Sequence, residues 1–333
     1  MCKKINRFFP CLVGFYFVAS VVISIFLMVN DTRLPYWVSC ILSELLLLIP
    51  AIVYVAVNKI DVLACIPYRK LKWQDALLSL LAGYLFVPVI LAINSVTSLF
   101  MNNYVQESAV EFTTYPFIIQ VLLIAVLPAL TEEFVFRGII YHSYRKNGLV
   151  GAMLFSAIAF GVVHMNLNQF FYAVFMGLFF AKMVEVTGSM WSSILAHFAI
   201  NTFSISVVQI MKMSGVNLFE ISQQVQAHGS ELSKMAEMFG NSEAAMTAGK
   251  TMLFIVKLMS VASSVLVGIL FGMLAIMLIN YIAKRNGRYD YYMHYVKMGL
   301  KPMNNENFVT VPYVVTVILS FIYMVLLEVA QYL

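Results

Sequence analysis

Charge is the first thing this chain lacks. Asp, Glu, Lys and Arg make up 11% of its 333 residues, against 62% hydrophobic ones, at a mean hydropathy of +0.87. Soluble domains carry about 25% charged residues, so a soluble enzyme or binding module is excluded. The formal charge of +5 is bias in the loops between apolar runs and not a nucleic-acid-binding patch. Cysteine is scarce too. Cys2, Cys11, Cys40 and Cys65 lie at or near the ends of apolar runs and form no CxxC, which excludes a disulfide framework and argues against a thiolate metal site. There is no internal repeat and no low-complexity tract. Paired discontinuous helices are lacking as well, and that counts against a transporter.

What the chain has instead is a series of apolar runs, each long enough to cross a bilayer as a helix. Spans are expected near 11–29, 37–57, 77–100, 116–140, 149–165, 168–186, 190–211, 253–282 and 311–332. The predicted fold is therefore an all-α polytopic transmembrane bundle of eight or nine spans, eight if one short segment is re-entrant. No soluble domain fits between them, so residues 1–333 form one integral membrane domain. Lys3, Lys4 and Arg7 precede the first span. Lys59, Arg69, Lys70 and Lys72 follow the second, Arg145 and Lys146 the fourth, and Lys284, Arg285 and Arg288 the eighth. The 101–115 loop has no Lys or Arg but carries Glu107 and Glu111. Alternating spans with a cytoplasmic N-terminus satisfy all of these together. The basic N-terminus precedes an uncleaved first span, with no small-residue cleavage site behind it. Residues 212–252 form a polar, external loop with an amphipathic stretch from Leu232 to Phe239. The tyrosine-rich 284–310 segment suits the cytoplasmic membrane interface.

Against this background the polar residues inside spans stand out, because an ionised side chain in hydrocarbon costs several kcal/mol. The densest group is Pro128-Ala-Leu-Thr-Glu132-Glu133-Phe-Val-Phe-Arg137. Glu133 and Arg137 stand one helical turn apart and can pair. Glu132 projects roughly 100° away and needs a partner from elsewhere. The bland alternative is a solvated cluster near a helix end. Pro128 removes a backbone hydrogen bond, kinks the helix, and leaves the Ile124 carbonyl facing the site. His164 follows Phe160 by one turn in the fifth span, so Phe160 can shield the imidazole. Asn147-Gly148 is a turn signal. Glu132 lies 15 residues before Asn147 and His164 lies 16 after Gly148. An antiparallel hairpin thus sets both at one depth, roughly 22–24 Å from the turn. In the seventh span His197 and Asn201 share a face, offering either two oxyanion donors or interhelical polar glue.

Weaker candidates remain. Glu44, in the second span, is a lone carboxylate needing a partner or a proton. Lys182 and Glu185 can pair at i,i+3. His142, His228 and His294 fall in loops or at span ends and are given no role.

In order and on separate spans, Glu132-Glu133-x-x-x-Arg137, Phe160-x-x-x-His164 and His197-x-x-x-Asn201 resemble the CAAX protease and bacteriocin-processing (Abi) family of intramembrane glutamic endopeptidases. Each motif is weak alone; the three together are specific. The resemblance covers roughly residues 115–205, and the 212–252 loop and ninth span exceed the family's usual eight-helix core. It implies a bundle enclosing a hydrophilic cavity, in which Glu132 and His164 activate a water and His197 and Asn201 form the oxyanion hole. Glu133, Arg137 and Phe160 would support them. No cofactor is implied. Zinc held by Glu132, His164 and His197 is the less favoured alternative, and a non-catalytic peptide-binding scaffold or immunity protein is the other. The partners implied are membrane lipid and a peptide or membrane-protein substrate: prenylated CAAX proteins in eukaryotes, leader, bacteriocin or signalling peptides in bacteria. The basic N-terminus, without eukaryotic sorting signals, points to a bacterial plasma membrane.

Overall fold

The computed structural model describes residues 2–60, 69–101, 114–214, 243–303 and 307–330. Within them the regular structure is helical, as hydrocarbon demands of a chain that must satisfy its backbone groups internally. In chain order the helices are α1 (Cys2–Val29), α2 (Tyr36–Val57), α3 (Trp73–Thr97), α4 (Phe117–Arg145) and α5 (Leu149–Val163). They continue with α6 (Leu167–Thr187), α7 (Met190–Met213), α8 (Glu243–Arg285), α9 (Tyr289–Met298) and α10 (Val311–Val329). Among the described residues, eight are long and apolar enough to cross a membrane; α5 has 15 residues and α9 is short and polar.

Lipid-facing and core-facing surfaces divide along each helix. In α1, Ile5, Phe8, Phe9, Leu12 and Val13 are buried, whereas Val22 and Phe26 farther along are 59% and 63% exposed. Leu266 and Met277 of α8 are 69% and 68% exposed. Apolar surface of this extent is incompatible with water and suits a bilayer. Behind it, helices approach through small residues, as in other membrane bundles. A Cβ on Gly83 of α3 would stand 2.5 Å from the Ala196 carbonyl of α7. Likewise Gly177 of α6 meets the backbone of Ala157 in α5, and Gly268 of α8 meets Ala92 in α3. α3 thus lies between α7 and α8, and α5 and α6 form a tight hairpin.

One end of the bundle is welded by polar contacts. Asn6 donates to the Phe308 carbonyl at 2.9 Å and accepts from the Tyr144 hydroxyl at 3.0 Å, joining the starts of α1 and α10 to the end of α4. Arg285 meets buried Asp75 at 3.1 Å. Glu185 accepts from Tyr141 at 2.6 Å and Arg145 at 2.8 Å, and Arg288 lies beside it. The expected Lys182–Glu185 pairing is corrected here. The planar Arg145 fork suits a carboxylate better, and Lys182 lies over the Tyr292 ring instead, 5.5 Å from its centre.

Three further expectations change. α8 begins at Glu243, ten residues before the expected 253, so 243–252 is helix and not loop. The rest of the 212–252 loop beyond Ser214, including Leu232–Phe239, lies outside the described residues, as does nearly all of 101–115. The fifth span was expected to reach 165, but α5 ends at Val163 and His164 caps it. Fifteen residues span only about 22 Å, short of a hydrocarbon core of about 30 Å. The α5–α6 turn, with Met165 at φ +47°, therefore sits at membrane depth. Asn166 makes that tolerable by accepting from the Gln169 backbone N–H at 2.9 Å.

Candidate active site

The helix carrying the paired glutamates is irregular where they sit. α4 is α-helical at Phe117–Gln120, π-helical at Val121–Val126, α-helical at Leu127–Glu133, π-helical at Phe134–Tyr141, and α-helical again at His142–Arg145. Pro128 has no N–H to give Ile124, and the adjoining turn widens. Such π stretches recur at functional sites because they re-aim side chains. Asn201 of α7 donates its Nδ2 to the freed Ile124 carbonyl at 3.0 Å. The carbonyl exposed by proline is thus capped by the asparagine of the third motif. This fits the interhelical-glue reading of Asn201 and leaves its second N–H available.

Glu133 is fully buried and Arg137 is 1% exposed. Arg137 Nη1 lies 3.3 Å from Glu133 Oε1, the one-turn pairing the spacing predicts. The guanidinium also stands 4.4 Å from the ring centre of Phe160 and 4.9 Å from that of Phe180. Its nitrogens have no aligned hydrogen-bond acceptor among the described residues, so rings and charge hold it rather than hydrogen bonds.

The same Glu133 oxygen orients the seventh-helix histidine. His197 Nδ1 lies 3.1 Å from Glu133 Oε1, and a carboxylate can only accept there. The ring stacks on Phe180 at 4.7 Å and 20°. So fixed, its Nε2 faces Glu132 Oε2 at 3.7 Å. Two adjacent carboxylates thus address the two nitrogens of one imidazole, although 65 and 64 residues separate them from it in sequence.

His164 completes the set through Phe160. Its Nδ1 lies 2.8 Å from the Phe160 carbonyl, and its ring meets that of Phe160 edge-on at 5.0 Å. Donation from Nδ1 to the carbonyl leaves Nε2 free to accept. His164 is within electrostatic reach of His197 and Arg137. Phe160, fully buried, touches Arg137, Phe136, Phe180, His164 and His197. The seven residues expected from the sequence lie on α4, α5 with its cap, and α7; Arg137, His164 and His197 gather around Phe160, Glu133 and Glu132 reach that group through His197, and Asn201 stands apart on the Ile124 carbonyl.

Two contributors escaped the sequence reading. Phe180 belongs to an aromatic-rich helix and carries no spacing signal. Thr131 carries no spacing signal of its own either; its hydroxyl meets the carboxyl of Glu44 in α2. On the bilayer side, an apolar groove of about 390 Å³ runs along Leu48, Ile52, Leu130, Thr131, Phe134, Trp191 and Ile194, between α2, α4 and α7. Among the described residues no three His, Cys, Asp or Glu side chains are gathered closely enough to hold a metal ion.

Residues 114–203 match the family model described as type II CAAX prenyl endopeptidase Rce1-like. The chain is also 31% identical over 109 residues to a Bacillus subtilis (strain 168) protein named "Putative membrane peptidase YdiL". That alignment covers 32% of this chain and 43% of the relative, so under half of the relative's length is matched. No solved structure matches. The resemblance carried by the three motifs is borne out over this segment, which contains every site residue on α4, α5 and α7.

Proposed function

We propose that the protein is an intramembrane endopeptidase in which Glu132 is the general base for a hydrolytic water. The observation that carries this reading is the approach of Glu132 to His197 Nε2 at 3.7 Å, on an imidazole fixed from behind by Glu133. A carboxylate withdrawn from water gains basicity, and His164, with Nε2 free, can take the proton on toward the leaving amine. Water attack on the peptide carbonyl forms the C–O bond and places charge on the carbonyl oxygen. Collapse then breaks the C–N bond and gives the amine its proton. With Nδ1–H committed to Glu133, His197 can offer Nε2–H to the oxyanion as an imidazolium, alongside the second N–H of Asn201. In that state Arg137 and His197 balance Glu132 and Glu133, so the quartet enters the membrane without net charge.

A zinc reading is favoured by one observation. A carboxylate on the far nitrogen of an imidazole is also how metal-binding histidines are oriented. It would need Glu132, His164 and His197 to close in around the ion. The substrate class is a membrane-embedded or lipid-modified peptide, whose apolar part would lie in the groove beside Thr131. The location proposed is a bacterial plasma membrane with the N-terminus in the cytoplasm, in line with Lys3, Lys4 and Arg7 before the first span.

The test is comparative proteomics of membranes holding the wild-type protein or Glu132→Ala, followed by cleavage of the accumulated peptide by purified enzyme. An uncut peptide in the variant is expected, and its absence counts against proteolysis. The purified enzyme is then stripped with a strong chelator and its metal content measured. Retained cleavage sustains the metal-free reading; loss restored by stoichiometric Zn²⁺ overturns it.

A further inference from the structure

Glu44 lies outside the stretch that the family model matches, yet it touches the glutamate-bearing helix. It is 7% exposed, and its carboxyl meets the hydroxyl of Thr131, the residue before Glu132. That hydroxyl also stands 2.9 Å from the Leu127 carbonyl. A threonine has one hydroxyl hydrogen. If Glu44 were ionised, the hydrogen could serve either the carboxylate or the carbonyl, and the other would face a lone pair. If Glu44 holds a proton, it donates to Thr131 and Thr131 donates to Leu127, and every contact is satisfied.

Charge counting gives the same answer. Glu132 feels Glu44, Glu133 and Arg137. Among the described residues, Glu44 contacts Thr131 of α4 and is within electrostatic reach of Glu132 of α4, Tyr16 of α1 and Cys40 of α2. None of these is a cation. An ionised Glu44 would add a negative charge beside Glu132 with no cation left to balance it, of the kind that membrane interiors penalise.

We propose that Glu44 is a neutral carboxylic acid that donates to Thr131, and that it is a positioning residue for Glu132. It ties α2 to the turn of α4 that presents the base, and adds no negative charge beside it. The part of the proposal concerning catalysis rests on Glu132 acting as the base; the protonation state does not.

The test is infrared spectroscopy of the full-length protein in lipid vesicles at neutral pH, in H₂O and D₂O, where a protonated carboxyl gives a C=O band clear of the carboxylates. Wild type and Glu132→Gln should show a deuterium-sensitive band that Glu44→Gln loses, and Thr131→Val should shift it to higher frequency. No band in wild type, or an unchanged band in Glu44→Gln, overturns the proposal. With a cleavable peptide in hand, Glu44→Ala should lose cleavage and Glu44→Gln, the isostere of the acid, should restore it. If Glu44→Gln is as inactive as Glu44→Ala, the positioning role falls. If no peptide is cleaved by any form, the protease reading falls while the infrared result still decides Glu44.

Discussion

Arg137 lies over two aromatic rings with its charge toward Glu133, so two properties of the side chain are used at once. Replacement by Ala leaves Glu133 buried without its counter-charge, at a cost of about 3–5 kcal/mol. It also removes the planar group that packs over both Phe160 and Phe180. Arg137→Ala is therefore expected to lower the melting temperature and expression, and to reduce cleavage indirectly by freeing His197. Arg137→Lys should recover little, because an ammonium cannot stack on a ring face as a guanidinium does. If thermal unfolding and expression are unchanged in Arg137→Ala, the pair contributes nothing and its burial has been misjudged. This pairing was legible in the sequence because it is local: one turn of helix decides it. The Glu133–His197 contact was not, since nothing in a one-dimensional pattern says which of two adjacent carboxylates faces a helix 64 residues away.

Among the elements, α7 is placed by a glycine. Gly83 admits α7 so closely that an added Cβ would meet the Ala196 carbonyl at 2.5 Å and the Ala199 Cβ at 2.9 Å, and Ala196 precedes His197. Backbone cannot give way as a flexible side chain can. Gly83→Val should push α7 outward, cost about 1–3 kcal/mol by overpacking, and weaken cleavage. Gly14→Ala, with nothing near the new Cβ, should change neither and serves as the control. A second element-level coupling joins α4 to α7 through Pro128. Asn201 donates to the carbonyl that Pro128 cannot serve. Restoring an amide N–H with Pro128→Ala offers Ile124 an alternative partner. In a double-mutant cycle, Asn201→Ala should then cost less in stability in the Pro128→Ala background than in wild type, by the order of one hydrogen bond, about 1 kcal/mol. Strict additivity would mean that the Asn201 contact is not coupled to the hydrogen bond missing at Pro128. The proline's effect on Ile124 was readable from the sequence, because a missing N–H is a property of the residue. The identity of the replacement donor was not, and neither were the π-helical stretches that depend on how α4 is packed.

At the scale of the whole molecule, the apolar runs and the order of motifs were legible because hydrocarbon imposes one solution, helices of sufficient length. The break after α5 was legible in the polar stretch His164-Met-Asn-Leu-Asn-Gln169, but its exact place was not: the turn at Met165 and the Asn166 cap end α5 at Val163, two residues before the expected 165. Orientation depends on where the cations collect. Arg285 pairs with Asp75, Arg145 and Arg288 flank Glu185, and Asn6 of the lysine-flanked first turn joins Phe308. These contacts gather the ends of α4, α6 and α8 and the starts of α1, α3 and α10 on one side, where basic residues should remain in the cytoplasm. The opposite side carries the α1–α2 connection at Thr32. Single cysteines at Thr32 and Lys297, both exposed, in a background with the native cysteines replaced, test this directly. A membrane-impermeant maleimide added to intact spheroplasts should label Thr32→Cys and leave Lys297→Cys untouched until the cells are lysed. The reverse pattern would turn the molecule over and place the Glu185 cluster outside. Labelling of both before lysis, with intact-cell controls sound, would mean that α2 through α8 do not alternate as their basic ends require.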